Sequence, residues 1–383
     1  MRTANRQQHE HAGGARQRRR PPFAFVSALV LAAATCLARG AADTRTVTDL
    51  AGRRVTVPGH VERLIALGPG CLRLVAYLGA VDKVVGMEQT EQRMDKTWFF
   101  RPYAAALTQR YYALPVVGPG GPGKLPDFER VILCRPDVIV AVGIDPAQIQ
   151  NIQTKTGIPT VYLSYGELGV WREAARQSLA LLGRILDRTD RAKKINAYVT
   201  ALEHDLKRRT ANVSDAGKVY FGGISFKGAH GLTSTEAEYP PGRMAGARNV
   251  ADGLGKKGHL FVDKEQIMLW DPATIFVDLG SKAVLEEDFR KDPAFYRLLH
   301  AARTRRVFSL LPYNYYNTNI ELAILNAYFI GKCLYPDRFH DVAMPAKADA
   351  LLGMFLGIRA NGRMPAYGAV TFTEQGPIQW RAP

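Results

Sequence analysis

Apolar and polar positions alternate with period two on either side of Ala51-Gly52 in TVTDLAGRRVTV (46–57), which predicts a hairpin closed by Pro58 and Gly59. RLIAL (63–67) then reads as a short buried strand, Gly68-Pro69-Gly70 as a turn, and Leu72–Leu78 as a helix whose apolar spacing is helical. Val81–Met87 supplies another strand. A strand, a glycine turn and a helix in that order are the building unit of open parallel sheets.

The pattern then repeats. PDFERVILCRPDVIV (126–140) and VDKEQIMLWDPATIFV (262–277) each place a Glu seven residues before a Pro, with spacing for a short amphipathic helix between them and a β-rich run after the Pro. Between the copies lie a helix over 144–156, a strand over 159–163, and a long apolar and basic helical run, Trp171–Arg209. Thr189-Asp190 interrupts that run, and Asp190 is the expected N-cap of its second half. Further strands are expected at 218–224 and 306–311, and helices at 320–334 and from Met344. The segments 227–239 and 312–319 read as loops, and the Gly- and Pro-punctuated tail as chemically silent.

These elements predict an α/β protein of two Rossmann-like lobes, each with a central, mostly parallel sheet, joined by a single long helix. The expected divisions are a leader over 1–42, a first lobe over 43–167, the linking helix over 168–189 and a second lobe with its tail over 190–383. A length of 383 residues suits two cores better than one.

The leader changes the picture of charge. Arg18, Arg19 and Arg20 precede an apolar core too short for a comfortable span and then small residues, the pattern of an export signal. Its removal lowers the formal charge from +16 to about +10, which favours an anionic ligand or surface. Cys36 follows Thr35 where a lipoprotein site wants Gly, Ala or Ser, so cleavage without lipid anchoring is expected. Cys71, Cys134 and Cys333 sit among apolar neighbours without CxxC spacing and read as free thiols.

Candidate chemistry is sparse. GPGGPGK (118–124) has the outline of a phosphate-binding loop, but Leu125 stands where Ser or Thr would reach Mg²⁺, and Pro119 and Pro122 remove amide donors; it reads as a surface turn. No nucleophile elbow is present, and the histidines beyond the leader (60, 204, 230, 259, 300 and 340) show no HxxxH or HxH spacing, so no catalytic residue, resident metal or cofactor is expected. The feature left over is PYNYYNTN (312–319). Tyr313, Asn314, Tyr315, Tyr316 and Asn317 combine flat faces with donors and acceptors, which suits an organic metal chelate. Lys227, His230 and Ser234 lie in the other loop at a strand end. Gly68, Pro69, Glu88 and Trp98 are the first-lobe candidates.

TVTDLAGRRVTVP, RLIALGPG, LGAVDKVVGM, PDFERVILCRPDVIV and NIELAILNAYFIGKCLYPDRF together resemble the substrate-binding proteins of ABC importers for ferric siderophores, cobalamin and haem, over about residues 46–340. The resemblance implies a monomeric periplasmic receptor that is not an enzyme. Its ligand would be a metal chelate held between lobes that barely rotate, Lys227 and His230 would offset anionic charge, and nucleic acid would play no part. It also implies docking onto an inner-membrane ABC permease, with its ATPase subunits, through acidic surface residues. Glu265 falls at the expected second-lobe position. In the first lobe Arg73 stands where the resemblance places a Glu, which leaves Glu62 or Glu129 for the role. A ferric siderophore is the expected ligand, with cobalamin or haem as the alternative within the family. A cytoplasmic chelatase-like or nucleotide-using enzyme is the alternative outside it.

Overall fold

A computed structural model describes residues 43–92, 100–107, 109–166, 171–213, 216–360, 367–374 and 376–381. The leader over 1–42, Cys36 and Trp98 lie outside the described residues.

The predicted hairpin forms as β1 (Thr44–Thr48) and β2 (Arg54–Pro58), antiparallel and paired from Thr44↔Pro58 to Thr48↔Arg54. Asp49 holds its turn by accepting from the Ala51 and Arg53 amides. The first lobe then alternates strand and helix: β3 (Leu64–Leu67), α1 (Cys71–Tyr77), β4 (Val84–Gly86), α2 (Phe128–Leu133), β5 (Val138–Val142), α3 (Pro146–Thr156) and β6 (Thr160–Leu163). Its sheet runs β4-β3-β5-β6, parallel throughout. Helices cover parallel strands on both faces, and accordingly every residue of β3 and β5 is buried. The strand expected over 81–87 starts later, because Val81–Lys83 forms a 3₁₀ turn.

The long run divides where expected, into α4 (Trp171–Ile185) and α5 (Thr189–Arg209), but by a different device. Asp187 adopts a left-handed φ of 55°, the Arg188 amide returns to the Gly183 carbonyl, and Arg188 occupies the N-cap without a side-chain bond. Asp190 lies inside the first turn, where a carboxylate still suits the helix dipole. α4 packs on α1 and on α5.

In the second lobe follow β7 (Val219–Gly222), β8 (Ser234–Ala237), β9 (Gly258–Phe261), α6 (Lys264–Trp270), β10 (Thr274–Asp278), β11 (Val307–Leu310), α7 (Ile320–Leu334), α8 (Met344–Leu356), β12 (Gly368–Thr371) and β13 (Gln379–Arg381). The sheet order is β13-β12-β11-β10-β7-β8-β9. Its centre β7-β10-β11 is the expected parallel unit, and antiparallel strands widen it on both sides.

One expectation is corrected here: the segment read as a loop over 227–239 contains β8. The tail, for which no chemistry was expected, contributes the strands β12 and β13. α7 spans the predicted residues and is buried from Ile320 to Gly331, and α5 meets it where the Tyr328 hydroxyl donates to Asp205 at 2.7 Å. The repeat is real in three dimensions. Asp127 caps α2 by accepting from the Arg130 amide, Asp263 caps α6 by accepting from the Gln266 amide, and Glu129 and Glu265 occupy matching exposed positions in the first turns.

Candidate functional site

Ligands of open α/β sheets sit beyond the carboxyl ends of the strands, and there the described chain from Thr44 onward, one compact unit, leaves a cleft of about 570 Å³. Pro69, beyond β3, lines it together with Phe100 and Pro122. Opposite them are 225–229 after β7, Gly280 after β10 and 314–317 after β11. Lys227 is the one charged side chain among these lining residues.

The loop after β11 is folded back on itself by a bridge between Asn314 and Thr318. Tyr316 and Asn317 both have left-handed backbones (φ 52° and 72°), as does Lys227 (φ 53°). That conformation is unfavourable for side chains other than Gly and Asn, so the surroundings must hold it. The Tyr316 hydroxyl accepts from the Gly121 amide at 3.1 Å and donates to Glu88 Oε2 at 3.2 Å. The Asn317 side chain donates to the Pro69 carbonyl at 3.1 Å and accepts from the Thr318 amide. Phe100 and Tyr315 bring their rings to 5.5 Å across the cleft.

Of the sequence candidates, the structure brings Pro69, Lys227, Asn314, Tyr315, Tyr316 and Asn317 to the cleft. Gly68 and Glu88 lie directly behind it. The Gly68 amide donates to Glu88 Oε2, and burial pushes the Glu88 carboxyl up to about 7 although the Gly68 and Tyr316 donors oppose that rise.

Tyr313 and Ser234 are corrected to core positions. The Tyr313 ring is only 1 % exposed and its hydroxyl donates to Glu236, while Ser234 is fully buried on β8 and donates to the Ile224 carbonyl. His230 is turned to its own loop, where Nε2 donates to the Phe226 carbonyl. The motif read as a surface turn is one, with Pro122, Gly123 and Lys124 exposed, and it also reaches the site: the Gly121 amide donates to the Tyr316 hydroxyl, and Pro122 is part of the wall.

Sequence reasoning missed Phe100, Ser225, Phe226 and Gly280. The last three follow β7 and β10 directly, so the strand-end rule applied to every strand would have found them. Among the described residues no group of three or more His, Cys, Asp or Glu side chains converges on a metal position, and no helix is long and apolar enough to cross a membrane. Cys71, Cys134 and Cys333 are free thiols, as expected.

Residues 64–313 match the family model described as periplasmic binding protein. The chain belongs to the periplasmic binding protein family. Such proteins carry solutes to ABC permeases and are not enzymes. This periplasmic binding protein is 23 % identical over 339 residues to the molybdate-binding protein MolA of Haemophilus influenzae, an overlap of 82 % of this chain and 92 % of that one. The solved structure of MolA with molybdate superposes with a TM-score of 0.65 at 21 % identity, over 82 % of this chain and 98 % of that one. A periplasmic solute-binding protein of Veillonella parvula gives 0.64 at 22 % identity, over 83 % and 94 %. Helicobacter pylori CeuE with Ni(II) bound gives 0.60 at 18 %, over 82 % and 97 %. At these identities the superpositions establish the shared fold.

Proposed function

We propose that this solute-binding component of an ABC importer acts in the periplasm and captures an anionic iron chelate of the ferric siderophore class. The observation that carries the reading is the cleft. A volume of about 570 Å³ suits a drug-sized organic ligand, and its wall pairs the aromatic faces of Phe100, Phe226 and Tyr315 with Asn amides and one cation, Lys227. A compact tetrahedral oxyanion is the second reading, favoured by the similarity to MolA.

Isothermal titration with ferric hydroxamate and ferric catecholate chelates, cobalamin, haemin and molybdate separates them. A ferric chelate is expected to bind with Kd below about 10 μM, roughly 7 kcal/mol. Lys227→Met is expected to weaken it about tenfold through loss of one charge-assisted contact. Binding of molybdate alone moves the assignment to an oxyanion, and silence toward the whole panel removes the chelate reading.

Docking on the permease is assigned to Glu129 and Glu265. The large apolar residues beside them are exposed to nearly the same degree on the two helices, Leu133 at 79 % and Leu269 at 77 %, as a partner meeting both lobes alike requires. Glu129→Lys with Glu265→Lys is expected to abolish uptake in cells while ligand affinity stays within twofold. Uptake at the wild-type rate would remove both residues from the docking surface.

A further inference from the structure

Arg73, singled out in the sequence as the residue standing in the place of an expected surface Glu, is no surface residue. It is wholly buried on α1, and its guanidinium stacks 4.9 Å from the Tyr103 ring centroid. Burying a guanidinium is costly unless its donors are satisfied. Among the described residues no carboxylate forms a salt bridge with it. Its two terminal nitrogens cross instead to the second lobe, where Nη1 reaches the Thr318 carbonyl at 2.9 Å and Nη2 the Tyr315 and Tyr316 carbonyls at 3.0 and 3.1 Å, while Nε has no hydrogen-bond partner. Those carbonyls belong to the loop that lines the cleft and contains two consecutive left-handed residues. Buried carbonyls outside regular structure need donors from somewhere, and a planar fork can serve several at once where an ammonium is a single point.

We propose that Arg73 is a positioning residue of the ligand site, holding the second-lobe loop 315–318 in its ligand-ready shape from the first lobe. It sets affinity without touching ligand. A loop already ordered when ligand arrives loses less conformational entropy on binding, which raises affinity without any new contact. The affinity part of this inference rests on the solute-binding reading above; the loop-holding part stands apart from it.

The test uses hydrogen–deuterium exchange on the ligand-free protein, in peptides covering 313–319, where the Thr318 amide donates to Asn317 Oδ1 and the Asn319 amide to the Tyr313 carbonyl. Wild type is compared with Arg73→Lys, with Glu321→Gln, and with Arg73→Met combined with Glu321→Gln. The double variant leaves no lone charge on Glu321, which lies near Arg73 and accepts from Tyr77. Relative to Glu321→Gln, exchange of these amides is expected to quicken at least tenfold in the double variant, with peptides of β5 and β10 unchanged and Arg73→Lys intermediate. The Kd for whichever titrant binds wild type is expected to rise tenfold or more.

Unchanged exchange in a folded double variant overturns the proposal, and so does a loosened loop with unchanged Kd. Should wild type bind none of the titrants, the chelate reading falls while exchange still decides whether Arg73 holds the loop.

Discussion

Gly68→Ala is expected to destabilise the protein by more than about 4 kcal/mol, the range reserved for a few specific mechanisms. Gly68 adopts φ of +81°, and an added Cβ would lie 1.9 Å from the Val142 carbonyl oxygen and 3.1 Å from its carbon. Val142 ends β5, which is bonded to β3 from Leu64↔Val138 to Leu67↔Ala141, so its carbonyl cannot retreat without opening the sheet. The substitution also displaces the Gly68 amide from Glu88. Gly52→Ala is the control: its φ is +77°, but nothing lies within 4 Å of the added carbon, and only the left-handed backbone cost of about 1–2 kcal/mol applies. Circular dichroism melts of both variants check this. A Gly68→Ala midpoint no lower than that of Gly52→Ala would refute the steric account.

Stability is expected to fall by several kcal/mol as pH rises from about 5 to 8. Burial pushes the carboxyls of Glu88, Glu236 and Asp278 up to about 7, the Asp278 carboxyl against the Gly280 amide that it accepts from. In the window between the ordinary carboxylate range and 7, the folded chain keeps protons that the unfolded chain has released. Stability therefore declines with rising pH through that window and levels off above 7. Each pKa unit corresponds to about 1.4 kcal/mol, which sets about 3 kcal/mol per group as the ceiling. Other carboxylates act the opposite way at lower pH. Asp205, beside Arg209, Tyr328 and Arg208, is held below its ordinary value, and so is Asp341 beside Arg209. Their contribution is lost as pH falls below about 4, which places the optimum near pH 5. Urea denaturation at pH 5 and pH 8 measures the difference, and Glu236→Gln should flatten it. A curve that climbs from pH 5 to 8 contradicts the assignment.

Much of the fold was legible because local signals and tertiary packing agree. The Asp-x-Glu starts of α2 and α6 are capping chemistry written in sequence, and the uniformly apolar runs of β3 and β5 and the Ile275–Val277 centre of β10 read as buried strands. β8 was hidden for the opposite reason. STEA is polar, yet all four residues are buried, because Ser234 and Thr235 donate to carbonyls and Glu236 accepts from Tyr313. No apolar alternation could announce a strand stabilised by partners so distant in sequence.

The loop over 312–319 was singled out through its Tyr and Asn content, but composition cannot say which rings turn inward. Tyr313 turned inward to Glu236 and Tyr316 sideways to Glu88. The burial of Arg73 was not legible, because nothing in the sequence of α1 reveals that its neighbours are carbonyls some 240 positions away.

The tail strands carry a consequence of a different kind. β12 pairs antiparallel with β11 at Phe308↔Ala369 and Ser309↔Gly368, and β13 pairs in turn with β12. Without them β11 would be a bare edge, a row of unpaired amides and carbonyls that another chain can extend. β13, which takes over the edge, is only three residues long, exposed at both ends and ends in Arg381, features that discourage such pairing. The segment with no ligand chemistry thus protects the receptor from itself. Damage to it would be felt in the amount of soluble receptor in the cell, with the grip of each surviving molecule on its ligand left intact.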